Sequence, residues 1–104
     1  MTELNSREHL AGESGVMAWP ELQRHFARGA VLVAESPLDF LDVAMALAGD
    51  DVKITSDWMR AGQLHKATDD CARRWDESQA RFRAVVVAPW VLVQELPPTE
   101  SGAR

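Results

Sequence analysis

The chain is poor in cysteine: Cys71 is the one thiol in 104 residues. A lone thiol can form neither an internal disulfide nor a CxxC zinc pair, which fits a reducing compartment. Long hydrophobic runs are missing too. The longest apolar run, Ala84 to Val93, has about half of the roughly 20 residues that a helix needs to cross a bilayer. The opening MTELNSREHL is polar and charged, unlike a signal peptide. Together these absences make the cytosol the expected location and exclude a membrane partner. Nucleotide and hydrolase signatures are also lacking. There is no GxxxxGKS or GxxxxGKT loop, no GxGxxG after a strand and no GxSxG elbow. The three histidines, His9, His25 and His65, fall on different segments, and no two have the i, i+4 spacing of a helical metal pair. We therefore expect no metal and no cofactor.

What is present is an ordinary globular mixture, 46% apolar and 26% charged. Its length suits one domain, placed at 1–96, with a polar tail over 97–104 expected to be disordered. The formal net charge of −5 is uneven. Residues 1–57 hold ten acids against four bases, whereas residues 58–83 hold six bases against four acids. That basic segment is either a solvated mixed surface or an anion-binding face that includes Arg73 and Arg74.

Local signals mark out the elements. Residues 1–14 have a weak helical pattern with little to bury beyond Leu4 and Leu10. Pro20 suits the first turn of a helix with Leu22 and Phe26 on one face, stopped by Gly29. Ala30 to Ala34 reads as a buried strand. Ser36-Pro37-Leu38-Asp39 resembles a capping box, with Ser36 as cap and Pro37 in first helical position, and Asp39 also has a role as a cap. The helix behind it would turn Phe40, Leu41, Ala44, Leu47 and Ala48 inward and end at Gly49. A further helix from Asp51 to Ala61 would bury Ile54 and Trp58 and close at Gly62. A strand at Val52–Thr55 is the local alternative. Leu64 to Ala67 can form a short strand. Thr68 is a good N-cap for a helix with Asp69 and Asp70 in its first turn and Ala72, Trp75 and Gln79 at helical spacing.

The chain then enters FRAVVVAPWVLVQEL, read as a final apolar strand interrupted by Pro89. A half-buried strand alternates apolar and polar residues, and this one does not, so both of its faces want cover. Proline cannot donate to a ladder and belongs at an edge or bulge. Val85, Val87, Trp90, Val91 and Val93 are accordingly the candidate interaction residues, with a central strand covered within one chain as the alternative. The expected fold is α+β: a small three-stranded mixed sheet flanked by about five helices. From Pro20 onward the element order matches a winged helix with a helix inserted in the wing.

The residues themselves are similar to a known group. Trp19, Glu21-Leu22-Gln23, Phe26-Ala27 and Gly29 open the match, and Leu38-Asp39, Asp42-Val43-Ala44 and Asp50-Asp51 continue it. Trp58, Gly62, Asp69, Ala72, Trp75 and the closing VVVAPWVLVQ complete it. On these residues, from Leu4 to Gln94, the chain resembles a small uncharacterised bacterial family, domain of unknown function 2288. The resemblance implies a bacterial, cytosolic, single-domain protein and supplies no activity.

Three functions are compatible with these features. The first is a non-enzymatic module acting through self-association, as a homo-oligomer, or through a protein partner. The second is a winged-helix-like nucleic-acid-binding regulator. The third is a small enzyme or ligand binder using Asp42, Cys71 near Arg73 and Arg74, or a tryptophan-lined pocket among Trp19, Trp58, Trp75 and Trp90. No catalytic residue is assigned. In the second case the groove-reading helix would be DDVKITSDWMRA, with three acids against Lys53 and Arg60. Phosphates would repel that helix and the chain as a whole. The expected outcome of a fluorescence-anisotropy titration with duplex DNA at moderate salt is no binding. Tight, salt-sensitive binding would reverse the ranking and bring Arg73, Arg74, Arg81 and Arg83 forward.

Overall fold

The structure is a computed structural model that describes residues 7–36 and 38–97. Its elements are α1 (Arg7–Glu13), β1 (Gly15–Ala18), α2 (Trp19–Ala27), β2 (Val31–Ala34), α3 (Phe40–Ala48) and α4 (Val52–Arg60). They continue with β3 (Leu64–Lys66), α5 (Asp69–Ser78), β4 (Arg81–Val87) and β5 (Trp90–Glu95). The chain is α+β, with five helices and a five-stranded mixed sheet among the described residues.

Most helix ends follow the local chemistry. Pro20 sits in the first turn of α2, and the Glu21 carboxylate accepts from the Ala18 N–H at 2.9 Å. Thr68 caps α5 by accepting from the Cys71 N–H, and Asp51 caps α4 by accepting from the Ile54 N–H. Gly29 and Gly62 follow α2 and α4 with φ of 72° and 79°, where a β-carbon would be strained. Three local expectations are corrected. Asp39, not Ser36, is the N-cap of α3, accepting from the Asp42 N–H at 3.0 Å. Pro37 lies outside the described residues, as do Leu4 and the tail from Pro98 onward. On α4, Trp58 is half-buried against the core, but Ile54 is 38% exposed. On α5 the inward pair is Cys71 and Trp75; Gln79 is the exposed left-handed C-cap.

The sheet runs β1-β4-β5-β2-β3, antiparallel throughout except for the parallel pair β2–β5. Two features raise the expected three strands to five. Gly15–Ala18 separates the first two helices and pairs with Arg81–Ala84, so those helices are not continuous through Pro20. The run FRAVVVAPWVLVQEL is a hairpin whose two strands turn at Ala88–Pro89 and occupy the middle of the sheet. Pro89 is therefore in the turn, where no ladder donor is needed, rather than within an edge strand.

Helices cover both faces. One face packs Val31, Val33, Phe82, Ala84, Val91 and Val93 against Trp19 and Leu22 of α2 and Cys71 and Trp75 of α5. The other packs Leu32, Ala34, Leu64, Val85, Val87 and Leu92 against Leu10 of α1 and Phe40, Val43 and Ala44 of α3. Val43, absent from the expected stripe, is fully buried. Two-sided cover explains why β2 and the hairpin read as continuous apolar runs. The first layer is aromatic: Trp75 meets Phe82 at 4.8 Å and Trp19 at 5.5 Å between ring centroids. The Trp75 indole N–H donates to Glu95 at 3.2 Å.

Leu92 has no exposed surface, so Leu92→Ala is expected to cost about 2–5 kcal/mol of unfolding free energy in urea titration. Thr68→Ala, which deletes a cap without opening a cavity, is expected to cost about 1 kcal/mol.

Candidate functional site

The hairpin residues named as an interaction surface belong to the core. Val85, Val87, Val91 and Val93 are 2, 8, 3 and 0% exposed, and they are distributed over both faces of the sheet. The edge strand they were expected to form does not exist, because β4 and β5 pair with each other and with β1 and β2. Trp90 is half-buried on the α3 side, with the Lys66 ammonium 5.8 Å from its ring centroid.

Asp42 and Cys71 lie on opposite sides of the sheet, so no pocket unites them. Asp42, in the first turn of α3, accepts from Arg7 at 2.5 Å in an exposed ion pair. Cys71 is buried; the Thr68 hydroxyl donates to its Sγ at 3.3 Å and Arg74 approaches to 3.6 Å. Arg73 is paired with Asp70 at the surface. A groove of about 530 Å³ between α2 and α5 is lined by Trp19, Phe26, Ala72 and Arg73, with Asp69 and Asp76 on its rim. Only Trp19 of the four tryptophans reaches it, and the Trp19 Nε1 is buried without a hydrogen-bond partner among the described residues. His9, His25 and His65 stand on α1, α2 and β3, and no group of three or more metal-ligating side chains is assembled among the described residues. No helix among them is long and apolar enough to cross a membrane.

The two sheet edges differ sharply. At one, β3 is three residues long and carries charge. His65 donates to the Glu35 carboxylate at 2.6 Å and to the Lys66 carbonyl at 3.0 Å. Short length and charge both blunt an edge against pairing. The other edge, β1, is Gly-Val-Met-Ala: uncharged, without proline, with Val16 58% exposed. The Trp19 N–H bonds the Ala80 carbonyl, which fixes the ladder phase. Gly15 and Met17 then direct their main-chain groups to β4, while Val16 and Ala18 direct theirs outward. The outward Ala18 N–H is taken by Glu21, and the Ser14 N–H by the Ala11 carbonyl. Val16 thus presents the free outward pair. Beside it, β4 outruns β1 and leaves Val86 64% exposed. The hollow between them, about 210 Å³, is lined by Gly15, Val16, Met17, Ala84, Val85, Val86 and Val91, with Glu13 as its one charged residue.

Sequence reasoning missed this edge because four small or apolar residues between two helical signals are too few to mark a strand. The detectable signal was Val16-Met17 beside a glycine, ahead of a helix start at Pro20. A second exposed apolar group, Val52 and Met59 on α4, stands among charged neighbours with main-chain bonds satisfied within the helix.

Two ion pairs respond to pH in opposite ranges. Burial by itself lowers the pKa of His65, but the Glu35 carboxylate and the Lys66 carbonyl outweigh it, leaving the imidazole above its ordinary 6.5. The pair's stabilisation is therefore complete below 6.5 and is lost as pH rises through the folded value. The Asp42 N–H, with the Arg7 guanidinium, holds the Asp39 carboxyl below its ordinary 3.8, so that contribution disappears only in acid. Glu35→Gln is expected to bring the His65 midpoint down in an NMR titration and to destabilise the chain at pH below 6.5 but not at alkaline pH. An unchanged midpoint would show that the pair does not form.

Comparison with known proteins agrees with this fold. The solution structure of PA1075 from Pseudomonas aeruginosa, determined by NMR, is similar to this chain. The two are 46% identical, with a TM-score of 0.78, over 85% of this chain and 82% of that one. No curated protein matches the sequence. The family described as "Protein of unknown function (DUF2288)" matches residues 5–95. With the match extending from α1 to the end of β5, the chain belongs to that family.

Proposed function

We propose that this protein is a non-enzymatic interaction module whose contact surface is the open edge at β1. The observation that carries this is the contrast between the two edges. The β3 edge is short and charged, whereas β1 presents Val16, with an unpaired main-chain donor and acceptor, beside the mostly apolar hollow at Gly15. An edge of this kind is a template for an added strand, in which main-chain bonds supply affinity and pockets for alternate side chains supply selectivity.

The alternatives draw less support. A winged-helix regulator would read DNA with α4, which is capped by Asp51 and carries Asp57 paired to Arg60. Its wing would have to be the hairpin, which is central in the sheet. A small enzyme would need Asp42 or Cys71 in a cleft with another titratable group. Asp42 is on the surface with Arg7, and Cys71 is sealed in the core.

A photoreactive cross-linker at residue 16, compared with one at the still more exposed Val52 of α4, tests the proposal in bacterial cells. Discrete adducts from position 16 and none from position 52 are expected. Equal labelling at both positions, or no adduct from position 16, would overturn it.

A further inference from the structure

Resting on the interaction-module proposal, we infer that the occupant of the β1 edge is a second copy of this chain, paired antiparallel about a two-fold axis at Val16. The main-chain geometry selects that register. A strand paired with its own copy must place the axis on or between residues, and the groups that bond across it must point outward. Val16 and Ala18 point outward, but the Ala18 N–H is held by Glu21 and the neighbouring outward Ser14 N–H by Ala11. With the axis at Val16, the two Val16 residues form one hydrogen-bonded pair and exchange both N–H···O bonds. No occupied donor has to be released.

Side chains agree with the same register. Opposite residues in an antiparallel pair point to the same face. The axis at Val16 sets Met17 of one copy against Gly15 of the other, twice. Gly15 has no backbone reason to be glycine: its φ is not positive, and a β-carbon built on it meets nothing within 4 Å. Its missing side chain instead opens the hollow against Met17, Ala84, Val86 and Val91. A methionine from the facing strand is long and adaptable enough to enter that space. The two central Val16 side chains, each 58% exposed in one copy, cover one another on the opposite face.

Charge completes the match. Arg81 precedes Phe82 in β4 and by strand alternation lies on the opposite face, the one occupied by α1, beside Ala18 at one end of the edge. Glu13 ends α1, the helix on that face, at the other end of the edge, where it also lines the hollow beside Gly15. Both are exposed, and neither has an ion-pair partner among the described residues. The two-fold axis brings Ala18 of one copy opposite Ser14 of the other, so Arg81 approaches Glu13 of its partner at both ends. Such an isologous contact closes on itself and yields a dimer rather than a fibre. The contact is small, so the dimer is weak and in exchange with monomer.

Sedimentation equilibrium from micromolar to millimolar protein, with amide hydrogen exchange followed by NMR, provides the test. The expected result is an average mass that rises from monomer towards dimer, with Val16 amide protection rising in step. Val16→Lys and Gly15→Val, both at sites with room in the single chain, should each weaken dimerisation at least tenfold while leaving the thermal midpoint unchanged. Glu13→Arg should weaken it, and Glu13→Arg combined with Arg81→Glu should restore it, which a loss of folding could not imitate. A dimer that survives Val16→Lys unchanged would overturn the register. A chain that stays monomeric throughout would overturn the second copy as occupant. The broader module would still stand in that case if residue 16 cross-links to proteins of other mass, and would fall with it if residue 16 cross-links to nothing.

Discussion

The parallel pairing of β2 with β5 is the contact on which the other elements depend. Val31, Leu32 and Val33 align with Val91, Leu92 and Val93, and the Val91 N–H bonds the Ala30 carbonyl at 2.8 Å. Parallel neighbours cannot be joined by a tight turn, so α3, α4, β3, α5 and β4 all lie between them in sequence. Side chains of both strands alternate between two cores, and each core needs its own helices. α2 and α5 serve one, α1 and α3 the other, with α4 contributing Trp58 at its margin.

This two-sided burial leaves little for a chemical site. The groups that could carry reactions are divided by the sheet: Cys71 and Trp75 on one side, Asp39 and Asp42 with Arg7 on the other. Long polar side chains mostly seal borders. Arg83 lies over Phe40 at 4.9 Å, Lys66 over Trp90, and Gln94 donates to the Leu38 carbonyl at 2.8 Å. Apart from the buried Trp19 Nε1, the unpaired groups are the main-chain donor and acceptor of Val16 at the perimeter, where β1 is shorter than the strand it pairs with. The candidate site is thus a consequence of unequal strand lengths rather than of a cluster of reactive residues.

Helix boundaries were legible because their causes are local. Thr68, Asp51, Gly49, Gly62 and Pro20 act on backbone groups a few residues away, and no distant contact is needed to read them. Ser36 misled because Asp39, three residues on, competes for the same role, and the choice depends on where Arg7 and the Asp42 N–H can meet it. Periodicity erred on α4 for a related reason. Helical spacing marks which residues share a face but not how far that face is covered, and Ile54 lies past the margin of the core.

Sequence by itself determined helices α2, α3 and α5, the buried strand at β2, the short β3 and the demand for cover on both faces of the apolar C-terminal run. Each follows from residues within a turn or two of one another, or from an alternation that is missing. Sequence left Val52–Thr55 open between helix and strand, and the structure makes that segment part of α4. Tertiary structure alone decided that this run is a hairpin in the centre of the sheet, and that its cover comes from within the chain. It alone made Gly15–Ala18 a strand, since those four residues are extended only because β4 offers them a ladder. The open edge follows from that pairing. Which main-chain groups face outward is fixed by register, and register is set between segments some seventy residues apart, beyond the range of any local signal.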